Sequence, residues 1–231
     1  MKSERKYPIA VISEKGEKSL RGGHVWVYGE EVRDIIGEIE NGELVDVVSK
    51  KGRFLGTGYY NDNSKIRIRI ISKNANDKFD AAFYERRLRY CFEYRKTVMG
   101  DDFDCCRLVF GEADSFPGLT VDRFGDILVT QVLSLGTEKI KDILFPLMVK
   151  VLSEMGVTVK AIFERNDVAI REKEGLTETK GFFALPGLST DLDGKTVITE
   201  NGIKYNVDYI NGQKTGFFLD QKSNRLAAGK I

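Results

Sequence analysis

Residues 7–73 break into five short apolar runs, at 7–12, 25–28, 44–49, 54–60 and 66–71, and glycine or asparagine punctuates the gaps at Gly22-Gly23, Asn41-Gly42, Lys51-Gly52 and Asn61-Asp62-Asn63. Runs this short leave no room for long helices and read as strands separated by turns. Strands so brief and so often reversed predict a small closed barrel, because closure removes exposed edges. Ile66-Arg67-Ile68-Arg69-Ile70 alternates strictly, so strand geometry sets the isoleucines on one face and Arg67 and Arg69 on the other. That arginine face reads as a solvated outer surface or as a stripe facing a phosphate backbone.

A different texture begins near Asp77. Phe79, Phe83, Tyr90, Tyr94 and Val98 recur at helical spacing and predict a helix over 78–99, with Gly100 as its stop. A strand at 107–110 follows. Residues 119–123 and 127–133 then flank Phe124-Gly125-Asp126, a hairpin signal. A second helix is predicted over 137–155, bent or interrupted at Pro146, and a strand over 159–164. Strands, helix and strand in that order suggest an α+β layer with the helix on one sheet face. Residues 196–199 and 204–209 flank Asn201-Gly202, the strongest short hairpin signal. At the end of the sequence Asp220 reads as an N-cap and residues 221–230 as the opening turns of a helix that lacks a C-cap and a partner. The expectation is a chain that stops inside an element, with whatever that helix introduces, and any chemistry in it, absent.

Thirty-six Lys and Arg against 35 Asp and Glu give a net charge of +1, so global charge indicates no partner. Local charge is more informative. Residues 1–73 carry fourteen basic against eleven acidic side chains and residues 204–231 five against two, a net of +3 in each case. Basic ends around an acidic middle fit a nucleic-acid binder and, nearly as well, an ordinary soluble protein. Three cysteines, Cys91, Cys105 and Cys106, make no disulfide framework in a chain of this size. No apolar run spans a membrane and no signal peptide opens the sequence, so a cytoplasmic location is expected. One histidine, His24, leaves triads and His-rich metal sites with a single member. No phosphate-binding glycine motif is complete.

Lys15, Lys18, Arg21 and Gly22-Gly23 lead to His24 and Trp26, and the stretch reads as a basic loop on the barrel rim. Charges, backbone amides and a nearby ring suit a nucleotide. A packed tryptophan and a hydrogen-bonded imidazole explain the same residues. Glu112, Asp114 and Asp122 could suggest a metal or an acid/base pair, but such residues more commonly cap turns and pair with an arginine, here Arg123. Residues 164–171 read as a charge network with no site. Adjacent Cys105 and Cys106 are flanked by apolar residues and read as buried, inert thiols.

Taken in order, these segments resemble a known family. Lys15-Gly-Glu-Lys-Ser-Leu-Arg-Gly-Gly-His-Val-Trp-Val-Tyr28 is similar to the opening of the PUA domain in the PUA–EEHEE–SAM methyltransferases. Residues 107–125, Arg-Leu-Val-Phe-Gly-Glu-Ala-Asp-Ser-Phe-Pro-Gly-Leu-Thr-Val-Asp-Arg-Phe-Gly, resemble the signature of the central EEHEE domain, and residues 167–176 a later part of it. Gly212-Gln-Lys-Thr-Gly-Phe-Phe-Leu-Asp-Gln-Lys-Ser-Asn-Arg225 resembles the segment leading into the methyltransferase fold. The resemblance implies an α+β chain in three parts. These are a PUA-like RNA-binding β-barrel at 1–73, an EEHEE α+β domain at 74–190, and at 191–231 a β-hairpin and first helix leading into a missing Rossmann-like methyltransferase domain.

It further implies the RNA-recognition portion of a ribosomal RNA cytosine-5 methyltransferase acting on the large subunit. S-adenosyl-L-methionine (SAM) would be the cofactor of the full-length protein, with none expected for this chain alone. Large-subunit ribosomal RNA would be the partner, and a homodimer is compatible with the reading. Lys15, Lys18, Arg21, His24, Arg67 and Arg69 become the candidates for RNA, and Asp220, Gln221 and Arg225 for the cofactor. No catalytic or metal-binding residue is carried over, because the SAM-binding glycine motif and the catalytic cysteine of the family have no match here. The chain by itself is then expected to be inactive. The alternative is a self-standing RNA-binding module.

Overall fold

The computed structural model describes residues 5–229. Residues 1–4, and Lys230 and Ile231 towards which the sequence reading extended its last helix, lie outside the described residues.

The first unit holds β1 (Ile9–Ile12), α1 (Glu14–Arg21), β2 (Trp26–Tyr28), β3 (Val32–Ile36), β4 (Leu44–Ser49), β5 (Phe54–Tyr60) and β6 (Ile66–Ser72). Its sheet runs in the order β2-β6-β5-β4-β1-β3. Only β1 and β4 pair in parallel. Inward residues of alternating register, Ala10, Ile12, Val27, Val45, Val47, Ile68 and Ile70, meet Leu20 of α1 in one buried cluster. The expected closure needs refinement: β2 and β3, the two edges, are not hydrogen-bonded to each other among the described residues. A tight turn at Gly29–Glu31 joins them, with Tyr28 N donating to the Glu31 carboxylate (3.0 Å) and Ser13 N to the Glu31 carbonyl (2.8 Å). The ring therefore closes through chain connectivity. The expected basic loop is also corrected, since residues 14–21 form a helix. The Ser13 hydroxyl accepts from Gly16 N and caps it. Leu20 is its one large apolar anchor, too little periodicity to signal a helix.

The second unit comprises α2 (Ala81–Met99), β7 (Cys105–Phe110), β8 (Leu119–Phe124), β9 (Ile127–Val132), α3 (Leu135–Glu154), β10 (Ala161–Asn166) and β11 (Thr179–Phe182). The sheet order is β11-β10-β9-β8-β7, with β9 and β10 parallel. Both helices cover one face, where Leu88, Phe92, Phe145 and Met148 meet Leu108, Val121 and Ile162. Asp80 caps α2 by accepting from Phe83 N at 2.9 Å. The inner stripe of α2 is Phe83, Tyr84, Leu88, Cys91 and Phe92, so Phe83 is buried as expected while Tyr90, Tyr94 and Val98 are exposed. The predicted stripe holds at Phe79 and Phe83 and departs from the buried side further along the helix. Pro146 lies inside α3 and does not interrupt it.

The hairpin β12 (Lys195–Glu200) and β13 (Ile203–Asp208) lies against the other sheet face. Asn201 and Gly202 both have positive φ, 52° and 78°, as a two-residue turn of this twist requires. Ile198, Val207 and Tyr209 pack on Phe124, Val129, Ala161 and Phe163. This corrects the expected fold class. The hairpin is the third layer of a sheet-rich α+β fold, sharing a core with the central sheet. Asp220 is not an N-cap either. It sits within the turn Leu219–Gln221, its carboxylate facing Lys214, and α4 (Lys222–Ala228) begins after it.

Candidate nucleic-acid interface

Helix α1 turns Leu20 and Gly16 inward, which leaves Lys15, Lys18 and Arg21 exposed along its outer side. On one flank Lys15, Tyr28, Gly29, Glu30, Lys65 and Arg67 line a groove of about 540 Å³. His24 is exposed at its edge, with ring centroids 6.3 Å from Tyr28 and 5.6 Å from Trp26. Its Nδ1 accepts a hydrogen bond from Trp26 N (3.1 Å), which fixes the ring direction. The Arg67 guanidinium stands over Tyr60 and pairs with Asp62. Gly29 leaves it space, since a Cβ there would lie 3.1 Å from Arg67 Nη2. The other flank of α1 holds a second hollow of about 300 Å³ lined by Leu20, Arg21, Arg53, Phe54, Leu55 and Lys73. Lys73 Nζ donates to the Leu20 carbonyl (2.7 Å) at the helix C-terminus, where a cation is favoured. Positive charge suits phosphates and an exposed ring suits a stacked base, and the first hollow offers both, with Tyr28 and His24 as its rings.

Arg69 has a different position. It lies between the barrel and the central domain, its side chain 13 % exposed, and donates to Glu112 (2.9 Å) and Glu174 (2.8 Å). Trp26 Nε1 also donates to Glu112 (2.9 Å), and Asn61 and Ser64 donate to Glu174. Of the face read from sequence as a solvent or phosphate stripe, Arg69 lies in a seam between domains while Arg67 stays at the groove. The fold thus brings Lys15, His24 and Arg67 towards one groove, sets Arg21 on the opposite flank of α1, and holds Arg69 in the seam.

The carboxylates of residues 112–122 have structural partners. Asp114 accepts from Arg95 (2.7 Å) and Phe110 N (2.6 Å). Asp122, fully buried, accepts from Arg107 in a bidentate pair and from Thr215 (2.5 Å). Neither pairs with Arg123, whose guanidinium donates to the carbonyls of Phe103 and Gly125. Among the described residues no group of three His, Cys, Asp or Glu side chains is placed to hold a metal ion. Cys91, Cys105 and Cys106 are buried, and burial pushes each thiol up to about 12. At pH 8 each then carries roughly a thousandfold less thiolate than an ordinary cysteine. Iodoacetamide is expected to leave all three unmodified in the native protein and to label all three in urea. Rapid native labelling of any one would show an activated thiol.

The cofactor candidates are already engaged. Arg225 forms a bidentate pair with the buried Glu200 (2.7 and 2.8 Å) and stands 4.3 Å from the Phe217 ring centroid. Asp220 is held by Lys214, a hydrogen bond that keeps its carboxyl below the usual range. Gln221 accepts from Asn224 (2.7 Å). Engaged by Glu200, Lys214 and Asn224, these three do not by themselves form a cradle for SAM. Lys65 and Tyr28 were missed as groove residues, as were Arg53 and Lys73. Lys65 directly precedes the alternating strand, which is the signal that would have found it.

Residues 11–73 match the family model of a PUA-like domain. Over 222 residues the chain is 36 % identical to "Ribosomal RNA large subunit methyltransferase I" of Klebsiella pneumoniae and 37 % identical to the protein of that name in Salmonella paratyphi B. Each alignment covers 96 % of this chain and 53 % of the relative, so the chain spans about half the length of the curated relatives it matches. A Streptococcus mutans protein described as a SAM-dependent methyltransferase shares the fold with a TM-score of 0.73, at 22 % identity over 94 % of this chain and 52 % of that one. A solved methyltransferase complexed with SAH gives 0.74 with the same identity and coverage. These matches follow the sheet-rich fold described above along almost all of this chain and give no support to a missing Rossmann-like domain. The barrel is a PUA-like domain, on a chain similar along nearly its whole length to ribosomal RNA large subunit methyltransferases.

Proposed function

We propose that this chain holds large-subunit ribosomal RNA, in the cytoplasm, for methylation of a cytosine at C5 with SAM as the methyl donor. The observation that carries the reading is the groove where Lys15, Lys65 and Arg67 meet the exposed rings of Tyr28 and His24. Similarity to curated ribosomal RNA methyltransferases supports the substrate class. Chemistry on a base requires it to leave its stack, at a cost of roughly a few kcal/mol, so the flanking strand must be held meanwhile. Lys15, Lys18, Arg21 and Arg67 hold phosphates in this reading, and His24 and Tyr28 stack. Arg69 contributes indirectly, by fixing the barrel on the central domain. Arg225, bound to Glu200, keeps the hairpin and the turn carrying Asp220 and Gln221 in position.

C5 transfer uses a thiolate that adds to C6 of the base, and the three buried thiols of this chain do not supply one. That burial favours a second reading, a recognition module without catalysis of its own. Binding of unmodified large-subunit ribosomal RNA across a salt series tests the shared part. The wild-type chain is expected to bind more tightly as salt falls. Lys15→Ala with Lys65→Ala and Arg67→Ala is expected to weaken binding and to flatten the log–log salt slope by about 0.7 per lost single-strand phosphate contact. An unchanged slope would refute the groove. A methyl-transfer assay with the same RNA and SAM separates the enzyme reading from the module reading.

A further inference from the structure

Helix α1 advances by about 100° per residue, which places its side chains around its axis. With Gly16 and Leu20 turned inward, Lys18 points away from the barrel, Lys15 lies on one flank and Arg21 on the other. The hollow on the Arg21 flank has a floor of buried Leu20 and Leu55 and a wall of three cations, Arg21, Arg53 and Lys73. No carboxylate lines it. By contrast, the hollow at the start of α1 sets Glu14, Glu30 and Glu31 against Lys15, Arg33 and Lys50, a balanced wall. Arg21 is answered by Glu17 one turn back (2.9 Å). Arg53 and Lys73 form no ion pair among the described residues. Lys73 gives one N–H to the Leu20 carbonyl, and an ammonium has three, so two remain. The main chain of Arg53 is pinned to Ser49, itself 2 % exposed: Ser49 N donates to the Arg53 carbonyl (2.9 Å), and Arg53 N donates to the Ser49 hydroxyl (3.2 Å). The guanidinium therefore extends from a fixed base.

We infer that Arg53 and Lys73, with Arg21, form a phosphate-binding subsite on the far flank of α1. Three cations against the one carboxylate of Glu17 leave two positive charges, enough for one phosphate monoester or two successive phosphodiesters. The apolar floor keeps water from one side of that charge, so it acts more strongly than on an open surface. A guanidinium fork and an ammonium suit phosphate oxygens, the one by paired hydrogen bonds and the other as a point charge. The one ring in the hollow, Phe54, is half-buried with Arg5 over it at 5.1 Å, so the subsite holds phosphate and reads no base. Lys15, Lys18 and Arg21 follow one another at intervals of three residues across the outer face of α1. A strand leaving the first groove crosses the helix along this row and arrives at Arg53 and Lys73. That RNA supplies the phosphate rests on the barrel reading; a small phosphorylated molecule is the other source of the same group.

The test uses the whole chain, a fluorescein-labelled single-stranded RNA of about 20 nucleotides, and inorganic phosphate followed by calorimetry at constant ionic strength. Arg53→Gln with Lys73→Gln is expected to weaken RNA binding, to flatten the log–log salt slope by about 1.4, at about 0.7 per lost contact, and to abolish phosphate binding. Glutamine at 73 keeps a donor for the Leu20 carbonyl, Arg53→Gln alone should show half the change in slope, and Arg53→Lys should restore most of it; circular dichroism verifies each fold. Lys195→Gln with Lys204→Gln, both exposed on the hairpin, removes the same charge elsewhere and should leave the slope unchanged. An equal flattening by that control would refute the subsite, because net charge alone would explain it. If the Arg53 and Lys73 variant changes neither readout while the groove variant still flattens the slope, the subsite is refuted and the barrel reading stands. If phosphate binding is lost and the RNA slope is unchanged, the subsite stands with a small phosphorylated molecule as its ligand and RNA is overturned as the source. If the wild type binds phosphate there and no RNA, the barrel reading fails and the subsite stands.

Discussion

Replacing Glu174 by alanine is expected to loosen the PUA-like barrel from the central domain and to lower the unfolding free energy by about 1–3 kcal/mol, the cost of leaving a buried polar group without its partner. Glu174 is 3 % exposed and accepts from Arg69, Ser64 and Asn61, all three on the barrel. Without it the Arg69 guanidinium keeps only Glu112 and the Ser64 hydroxyl loses its acceptor, while Asn61 Nδ2 keeps the main-chain carbonyl of residue 174 (2.9 Å). The chain has a single tryptophan, Trp26, and it donates to Glu112 in this seam. Its emission therefore reports seam opening directly. Urea unfolding of Glu174→Ala should show a lower midpoint and a red-shifted native Trp26 spectrum. Glu174→Gln keeps one acceptor oxygen without the charge and should fall between wild type and alanine. An alanine variant with native emission and an unshifted midpoint would mean that the seam is held by packing alone, for example at Gly136, where Tyr59 lies so close that no Cβ fits.

The seam also shows where sequence reasoning stops. Turn chemistry was legible, because Asn201-Gly202 and Gly125 impose backbone conformations that depend on neighbouring residues only. The strands at 44–49 and 54–60 agree with β4 and β5, since short apolar runs bounded by turn residues leave a local record. What faces the polar side of a strand leaves no such record. Arg67 and Arg69 are equivalent in the pattern, yet one pairs locally with Asp62 and the other with carboxylates 43 and 105 residues away. The stripe on α2 failed for the same reason. Phe83, Tyr90 and Tyr94 share a helical phase, and whether that phase is covered depends on how far the barrel and the loop at Ser115 extend along it. Helix α1 carried its chemistry in plain view as Lys15, Lys18 and Arg21, while its fold depended on a serine cap and one leucine.

Arg171→Met should be the most destabilising substitution on the central domain, with a loss of about 3–5 kcal/mol and a fall in Tm of roughly 6–20 °C at 2–4 °C per kcal/mol. Arg171 is 2 % exposed. Its Nε donates to the Thr177 carbonyl (2.8 Å), and its Nη1 donates to the Val132 carbonyl and to Glu138 Oε2 (3.0 Å). One side chain thus joins the end of β9, the first turn of α3 and the segment before β11. Methionine fills much of the volume but strands both carbonyls, each costing about 1–3 kcal/mol when buried without a donor. Glu138 retains Lys141 at 2.6 Å, so the carboxylate is not left alone. Arg171→Lys keeps the charge on a single head that does not span three acceptors, and should recover only part of the loss. Arg171 and Glu174 share the turn Ala169–Glu174, one gripping the sheet and α3, the other the barrel. The double variant Arg171→Met with Glu174→Ala should therefore lose less than the sum of the two, because either change alone already frees the turn. Differential scanning calorimetry of the four proteins, read with Trp26 emission, decides it. Strict additivity, with Arg171→Met leaving Trp26 unmoved, would mean that the two ends of this turn act independently and that the barrel is held in place without help from the sheet.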